Sequence, residues 1–341
     1  MKKTIRWIFS TVVFIACGLL LFAKISNILR QKTGAQVDMI HSFYSEPKDT
    51  VDVLCLGSSH GYSGVQTNIM WNEFGITSYV LCSPRQSAAS SYYLLKEALN
   101  YQKPKVVLLE SYYLRSPNLY VEEVTVRQAF DGVRMGEVKQ EMIEDLIGDY
   151  SWKEKLSYYI PFIAYHSRWS MLKDADFNSR PYLRGSIVDF DIYPMENPGV
   201  PETGKDMPET ASKYFEMIEQ LCDENCIQLV VFATPYGVAN KIESYMNSQM
   251  TNVGLETYLA EKEIPFFYYQ KMDEVGIDYA MDFRDHGHMN TYGAAKITKH
   301  LGNFLREEYG IADHRQDEAY QSWNEDYAKF EEYANELKAA A

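Results

Sequence analysis

A serine near the start of the chain and an Asp-x-x-His block near its end are the residues best suited to chemistry. Ser59 lies in the turn 57–61 (Gly-Ser-Ser-His-Gly), which directly follows an apolar run. Asp285 and His288 lie in the loop before the predicted helix 291–305. A carboxylate can hold an imidazole in the tautomer that accepts a proton from a serine. We therefore predict Ser59 as the nucleophile, His288 as its base and Asp285 as the orienting carboxylate.

Other residues at the same strand ends are candidates for the oxyanion hole and for substrate binding. We predict that N–H groups of Ser59, Cys82 and Ser83 hold an oxyanion, because turns after parallel strands aim N–H groups at one edge of the sheet. Loop capping, a solvated strand end or a packed helix turn are the structural alternatives for the substrate-binding candidates. These candidates are His60, Arg85, Gln86, Glu110, His166 and Arg168.

The loop that carries the histidine also offers an alternative site for a metal. Asp282 and His286 flank the predicted pair and could join it as ligands. The sequence shows no second ligand group elsewhere, and Cys222 and Cys226 have no second cysteine pair. We therefore expect neither a metal nor another cofactor.

Apolar runs that alternate with amphipathic helix patterns would position these residues. Continuous apolar strands of this kind are typical of a parallel sheet that helices cover on both faces. The predicted fold is an α/β three-layer sandwich, with its site at the carboxyl ends of the strands. The predicted strands are 51–57, 77–82, 105–110, 227–233 and 264–268. The predicted helices are 87–100, 207–225, 249–261 and 291–305.

The two motifs together resemble the SGNH (GDSL-like) hydrolase family over about residues 51–305. The family carries its nucleophile at the third position of the first motif, which matches Ser59. Its Asp and His match Asp285 and His288. Two departures stand out: Ser58 replaces the usual Asp before the nucleophile, and no Gly-x-Asn-Asp block supplies the family's Asn oxyanion donor.

Membrane-anchored relatives with a Gly-Ser-Ser motif extend this resemblance. These are the DltD-like and alginate-acetylation (AlgJ/AlgX-like) proteins, which work on cell-surface polymers. The resemblance implies O-acyl transfer to, or ester hydrolysis on, an envelope glycan or polymer, with an acyl donor and a multi-span membrane acyltransferase as partners. Transfer and hydrolysis both remain open. The alternative function is a catalytically weak accessory or binding subunit of an envelope polymer-modifying complex.

The N-terminus predicts a single-pass membrane protein. Basic residues in the tail 1–6 precede the uncharged apolar stretch 7–23, which as a helix is about 26 Å long and reaches across a thin bilayer. We interpret 7–23 as an uncleaved signal-anchor, with a cleaved signal peptide as the alternative. The positive charges place the tail inside, and the catalytic domain is then extracytoplasmic.

The remaining segments and the charge complete the predicted organisation. A connector (24–50) leads to the α/β domain (51–305), and an acidic helical extension (306–341) follows it. A Tyr- and Trp-rich insertion at about 112–206 is predicted to cap the carboxyl edge of the sheet. Lys plus Arg number 33 against 47 Asp plus Glu, a net charge of −14 without a long basic run, so we expect no nucleic-acid partner.

Overall fold

The centre of the fold is a five-stranded parallel sheet. A computed structural model describes residues 2–32, 38–120, 122–178, 180–239 and 242–340. Along the sheet the strands follow the order β2-β1-β3-β4-β5, and all neighbours are parallel. The strands are β1 (Val53–Gly57), β2 (Ser78–Cys82), β3 (Val106–Glu110), β4 (Gln228–Ala233) and β5 (Phe266–Tyr268).

Helices connect these strands and cover both faces of the sheet. Those up to β3 are α1 (Lys2–Leu29), α2 (Met39–Phe43), α3 (Ser59–Gly64), α4 (Thr67–Phe74) and α5 (Ala88–Ala98). Those between β3 and β4 are α6 (Glu123–Phe130), α7 (Glu137–Ile147), α8 (Trp152–Tyr159), α9 (Phe162–Tyr165), α10 (Asp174–Phe177) and α11 (Glu209–Glu224). The last are α12 (Ile242–Glu261), α13 (Thr291–Tyr309) and α14 (Gln321–Ala340).

Alternating strand residues separate the core into two layers. Successive side chains of a strand point to opposite faces. Leu54 therefore packs with the cluster that includes α5 and α11, whereas Val53 and Cys55 pack with the cluster that includes α4 and α13. All residues of β1, β2 and β3 are buried, on both faces of the sheet, which explains the continuous apolar runs in the sequence. The predicted three-layer α/β fold is confirmed.

The N-terminal helix α1 is the one described helix that is long and apolar enough to cross a membrane. It has 28 residues and is therefore about 42 Å long, which exceeds a hydrocarbon core of about 30 Å. Residues 3–25 are exposed, whereas Leu29 and Arg30 are buried against the rest of the protein. The helix thus continues beyond the predicted span 7–23 and docks by its carboxyl end.

The segment interpreted as a connector, 24–50, is not a simple linker. Its helix α2 lies in the main core, where the hydroxyl of Tyr79 in β2 donates a hydrogen bond of 2.6 Å to the carbonyl of Met39. Arg30 and Asp38 form a buried ion pair of 2.5 Å. The apolar Met39, Ile40 and Phe43 were too few to stand out as a pattern in the sequence. Residues 33–37 of this segment lie outside the described part of the chain.

The insertion at 112–206 divides into three parts that pack in different places. Helices α6 and α7 join the core layer beside α5. Helices α9 and α10 lie against the carboxyl-terminal part of α1, where the rings of Phe162 and Phe22 are 5.1 Å apart, and α8 packs on α9. Residues 187–196 reach the loop of the predicted base, since the Tyr193 N–H donates to the Phe283 carbonyl at 2.8 Å. Of these three parts, only the last therefore lies at the carboxyl edge, together with Tyr112, which directly follows β3.

The acidic extension after residue 305 is largely a docked helix. Helix α13 continues to Tyr309, so the predicted boundary at 305 falls inside a helix. The ring of Trp323 in α14 lies 5.4 Å from that of Trp71, and Phe330 is buried in the main core. The guanidinium of Arg184 lies over Trp323 and pairs with Asp326 at 2.9 Å.

Candidate active site

The turn after β1 presents Ser59 at the first position of α3. Ser58 caps this helix: its hydroxyl accepts a hydrogen bond of 3.3 Å from the N–H of His60. Gly57 has φ of 142°, a backbone conformation that favours glycine, and a Cβ there would lie 2.5 Å from the Cβ of Glu110. The close approach of this turn to β3 thus requires glycine at position 57, and Ser58 caps the helix that follows.

Glu110 is buried, stabilises this turn by hydrogen bonds and does not line the substrate site. It is 3% exposed, and its Oε2 accepts hydrogen bonds from the N–H of Ser58 at 3.1 Å and from its hydroxyl at 2.7 Å. Its Oε1 accepts from the N–H of Tyr112 at 2.6 Å. Burial raises the pKa of Glu110, and the hydrogen bonds from Ser58 and Tyr112 partly oppose this shift. The prediction of Glu110 as a substrate-binding residue is therefore wrong, because three internal donors occupy its carboxylate.

The structure brings Ser59, His288 and Asp285 into one hydrogen-bonded chain. His288 Nε2 lies 2.7 Å from Ser59 Oγ. On the other side of the ring, Nδ1 lies 2.8 Å and 2.9 Å from the two carboxylate oxygens of Asp285. With Nδ1 protonated and bound to the carboxylate, Nε2 is left as the acceptor for the serine proton. This is the arrangement that activates a serine as a nucleophile.

Local hydrogen bonds shape the loop that carries the acid and the base. Asp285 Oδ1 also accepts from the N–H groups of Gly287 and His288, both at 3.0 Å. Burial would raise the pKa of Asp285, but the hydrogen bond and charge of His288 outweigh it and lower the pKa well below its usual range. Asn290 then caps α13, since its Oδ1 accepts from the N–H of Tyr292 at 3.0 Å. The sequence Asp-His-Gly-His-Met-Asn thus encodes both the loop and the start of the next helix.

His60 lies directly behind the base and is a buried part of the site wall. Its ring stacks at 4.0 Å on Tyr112 and at 4.9 Å on His288. Nδ1 lies 3.3 Å from the Thr234 hydroxyl at the end of β4. Burial lowers the pKa of His60 well below its usual range, and the charge of His288 acts in the same direction. His60 therefore supplies a neutral ring that supports His288.

Tyr62 is a candidate site residue that the sequence did not indicate. It lies three positions after Ser59 on α3, hence on the same face of the helix. Burial raises the pKa of Tyr62, so its hydroxyl stays protonated and able to donate. The N–H of Ser59 is the first of α3 and has no intrahelical acceptor. The Ser59 N–H and the Tyr62 hydroxyl are thus two donors on the helix that carries Ser59.

Four predicted residues at the end of β2 have other roles. Cys82 and Ser83 are both 0% exposed, so their N–H groups cannot reach a substrate, and that of Ser83 donates to the Gly57 carbonyl at 3.3 Å. Gln86 is 1% exposed, and its amide binds the Leu81 carbonyl at 3.0 Å and the side chains of Ser83 and Ser91. The predictions for Cys82, Ser83 and Gln86 are wrong, because the polar groups of this loop form hydrogen bonds within the protein. Arg85 is exposed and pairs with Glu122.

His166 and Arg168 lie at the N-terminal helix and not at the site. Arg168 donates to the carbonyl of Leu29 and pairs with Asp176 at 3.1 Å. His166 Nδ1 is 3.0 Å from the Ile163 carbonyl. Their prediction as a substrate wall is wrong, because a mixed cluster of His, Arg and Trp does not reveal which distant helix it packs on.

The alternative metal site does not assemble around the Asp-x-x-His block. Asp282 is buried in an ion pair of 2.6 Å with Lys296 and accepts from the Asp278 N–H at 2.7 Å. The ring of His286 lies 5.7 Å from that of Tyr193. Within the described ranges, no three His, Cys, Asp or Glu side chains are grouped to hold a metal ion.

A cleft of about 510 Å³ is lined by Tyr112 and Tyr236, whose rings lie 4.0 Å and 6.0 Å from that of His60. Arg115 lies over the ring of Tyr112 at 4.2 Å and has no ion-pair partner in the part of the chain that the structure describes. The ring of Tyr236, after β4, is parallel to that of Tyr112 at 6.2 Å. The lining residues include Tyr112, Arg115, Tyr193, Tyr236, Tyr245 and His286. The sequence signal for this cleft was the Tyr-rich turns after β3 and β4, which become neighbours only through the strand order.

Comparison with known proteins leaves the activity to be argued from the site. No protein-family model matches the chain, and no curated protein matches it. A solved structure from Bacteroides fragilis, described as a "putative acylhydrolase", is similar with a TM-score of 0.39 and 10% sequence identity. The match covers 81% of this chain and 99% of that chain. A similarity of this degree does not assign an activity to this chain. The activity is therefore argued from the side chains of the site.

Proposed function

We propose that this protein is a serine-dependent acyl-ester enzyme that transfers an acyl group to, or hydrolyses an ester on, a cell-envelope glycan or polymer. The observation that carries the proposal is the hydrogen-bonded chain from Ser59 through His288 to Asp285, with 2.7 Å between Oγ and Nε2. A solvent-accessible serine with a positioned base and an orienting carboxylate has the requirements of a nucleophilic catalyst.

The reaction proceeds in two acyl-transfer steps. Ser59 Oγ attacks the ester carbonyl while His288 Nε2 takes its proton. The leaving alcohol then receives this proton as the C–O bond breaks and the acyl-serine forms. An incoming glycan hydroxyl, or water, gives its proton to His288 and attacks the acyl-serine, which releases Ser59 with its proton restored. Asp285 keeps the imidazole in the required tautomer and stabilises the transient imidazolium.

Two donors on α3 would stabilise the oxyanion of each tetrahedral intermediate. The N–H of Ser59 belongs to the serine itself, and Tyr62 follows it by three positions on the same face of α3. They stand in for the Asn donor that the sequence lacks. Donors fixed in a largely buried helix turn need no reorganisation when charge develops, which is the source of such stabilisation.

The cleft lined by Tyr112 and Tyr236 suits a polymer segment with anionic groups. Tyrosine rings offer flat amphipathic surfaces to sugar rings. The guanidinium of Arg115, which has no ion-pair partner among the described residues, can bind a carboxylate, phosphate or sulfate. We expect Arg115→Gln to weaken an anionic acceptor and to leave turnover of a small neutral ester unchanged. If the substitution slows turnover of both substrates equally, Arg115 does not bind the acceptor.

The envelope location and the partners rest on the N-terminal helix. Helix α1 is apolar enough to span a membrane, and the basic residues before it favour an inside tail. In this proposal the α/β domain lies outside the cell, as a single-pass protein beside a multi-span membrane acyltransferase that supplies the acyl group. A reporter that is active only in the cytoplasm, fused after Ala341, should be silent; an active reporter would contradict this topology.

The central test is covalent labelling of the full chain in detergent with a fluorophosphonate. We expect one adduct, located by mass spectrometry on Ser59, and none in Ser59→Ala. Ser248→Ala is the matched control, because Ser248 lines the same cleft but its hydroxyl bonds the Tyr245 carbonyl at 2.7 Å. Labelling of Ser59→Ala at the wild-type rate would contradict the serine mechanism. An unlabelled wild type would favour the accessory-subunit alternative.

Transfer and hydrolysis are separated by the fate of the acyl group. An activated acetyl ester is supplied with and without a soluble anionic oligosaccharide. Hydrolysis gives free acetate in both reactions, whereas transfer gives an acetylated oligosaccharide at the expense of acetate. The identity of the favoured acceptor then defines the class of the envelope polymer.

A further inference from the structure

Exposed apolar side chains are concentrated in one segment of the protein besides α1. Outside α1, thirteen large apolar side chains of the described residues are exposed, and seven of them lie within residues 152–177. Trp152 and Trp169 are 71% and 72% exposed. The seven are Trp152, Leu156, Ile160, Ile163, Trp169, Met171 and Phe177, and we call them the 152–177 surface. Single exposed apolar residues are ordinary, but a concentration of this kind marks an interaction surface.

The 152–177 surface lies around the carboxyl-terminal part of α1: α9 and α10 pack on α1, and α8 packs on α9. The ring of Phe162 in α9 lies 5.1 Å from that of Phe22, which is within the uncharged stretch of α1. Arg168 donates to the Leu29 carbonyl, and Lys32 donates to that of Asp176 at 3.2 Å. If α1 spans a bilayer, Phe22 lies at the boundary of the hydrocarbon, and α9 is fixed at the same level.

The chemistry of this segment fits the polar boundary of a bilayer. Tryptophan is enriched at membrane interfaces, where an amphipathic ring meets both headgroups and acyl chains. Residues 152–177 carry four basic and three acidic side chains, in a protein whose net charge is −14. Lys153 lies 5.9 Å from the Trp152 ring, so a cation accompanies an exposed aromatic residue. Basic side chains beside exposed aromatic residues favour anionic lipid headgroups.

We propose that the 152–177 surface is a second membrane contact, which rests in the lipid interface next to α1. Its apolar side chains would enter the headgroup and acyl boundary to a depth of about 5–10 Å. The occupant is lipid, because the surface continues from a helix that is itself exposed to lipid. With two contacts, the α/β domain cannot swing freely on its anchor, and its active site is held at a fixed height above the membrane.

Spin-label accessibility in the full chain tests this contact. The exposed native cysteines Cys17 and Cys226 are first replaced by serine. A nitroxide is then attached to Trp152→Cys, Trp169→Cys or, as the matched control, Met281→Cys. Met281 is an exposed apolar residue outside the surface, at 47% exposure. Each protein is placed in phosphatidylcholine vesicles, with and without phosphatidylglycerol, and collisions with oxygen and with a polar nickel complex are measured.

The expected result is a several-fold higher ratio of oxygen to nickel collisions at positions 152 and 169 than at 281. Oxygen concentrates in lipid and the nickel complex in water, so the ratio reports insertion. A ratio at 152 and 169 equal to that at 281 would overturn the proposal and favour a protein occupant that the vesicles lack. Rare collisions with both reagents would overturn it as well, because they indicate burial against a second copy of the chain.

Native tryptophan fluorescence gives a second measurement that needs no cysteine variants. Trp71 and Trp323 are buried, so in a Trp7→Phe protein the exposed tryptophans are Trp152 and Trp169. Brominated lipid should quench part of this fluorescence. The quenched part should disappear when both exposed tryptophans are replaced by phenylalanine. Absence of quenching in the Trp7→Phe protein would also overturn the proposal.

Discussion

Replacing Glu110 by glutamine should both destabilise the protein and slow the nucleophile. Glu110 accepts three buried hydrogen bonds: two from Ser58 and one from the N–H of Tyr112. Glutamine has the same shape but one acceptor oxygen and one NH₂ group. If its oxygen faces Ser58, the NH₂ group meets the N–H of Tyr112; if it is flipped, both Ser58 donors lose their acceptor. At least one buried donor is left unsatisfied in either orientation.

The size of the effect follows from this count. One orphaned buried donor costs about 1–3 kcal/mol. Burial raises the pKa of Glu110, so the substitution also removes a partly unfavourable buried charge. We therefore expect the free energy of unfolding to fall by about 1–2 kcal/mol, the lower part of that range. Glu110→Ala would orphan all three donors at about 3–9 kcal/mol, which approaches the whole stability of a typical domain. Glutamine is therefore the informative substitution.

Urea unfolding of the full chain in detergent measures the loss, and fluorophosphonate labelling measures the position of Ser59. Because a misplacement of about 1 Å can cost about 100-fold in rate, labelling should slow by up to that factor. Glu122→Gln is the matched control: this carboxylate is 54% exposed, pairs with Arg85 and should change stability by less than about 0.5 kcal/mol. Wild-type stability and labelling in Glu110→Gln would refute the idea that Glu110 holds the nucleophile turn.

Three further predictions concern the catalytic chain. Ser59→Ala and His288→Ala should each reduce turnover of an activated ester by about 10³-fold, and the double variant should be little worse, because the two residues act as a unit. Tyr62→Phe should reduce kcat by about 10²-fold with little change in KM, as expected for a donor that binds the transition state. The pKa of Asp285 is lowered in the folded protein, so its carboxylate stabilises the fold above its ordinary pKa of 3.8, and this stability is lost as the pH falls through the folded pKa. Asp285→Asn should therefore lose stability at neutral pH in urea unfolding and approach the wild type in acid.

Controls and contrary outcomes are specific to each of these predictions. If the losses in the double variant are additive, about 10⁶-fold, Ser59 and His288 do not act as a unit. Tyr236→Phe is the control for Tyr62→Phe, because it removes a cleft hydroxyl away from the nucleophile; equal losses in both would remove Tyr62 from the oxyanion hole. A stability gap between wild type and Asp285→Asn that is unchanged in acid would contradict an ionised Asp285 bound by His288.

The fold was predictable because its strands are continuous apolar runs. Buried parallel strands need apolar residues on both faces, and the Val-Val-Leu-Leu run before Glu110 illustrates this pattern. Ser59 and the Asp-x-x-His block were found for a related reason: a parallel sheet gathers the residues after its strands at one edge. The structure places these motifs in contact, while their catalytic roles stay a prediction.

The rest depended on contacts that a single sequence does not contain. Tyr112 and Tyr236 form one cleft because β3 and β4 are neighbours, although 124 positions separate the two residues. Residue type was misleading at Glu110, where a polar strand end turned out to be a buried acceptor for a neighbouring turn. It was equally misleading at Arg168, which binds the Leu29 carbonyl of the N-terminal helix and the carboxylate of Asp176.

The separation of Ser59 and His288 along the chain determines when the active site comes into existence. The hydrogen-bonded residues are 229 positions apart in the sequence. Ser59 follows β1, and β3 and β4 lie between β1 and β5 in the sheet. Contacts of such long range form late in folding, after much of the chain has been synthesised. A chain that is still emerging would carry its serine without the base and remain inert. If the proposed function holds, the order of the motifs delays the acyl-ester chemistry until the domain has folded around its last strand.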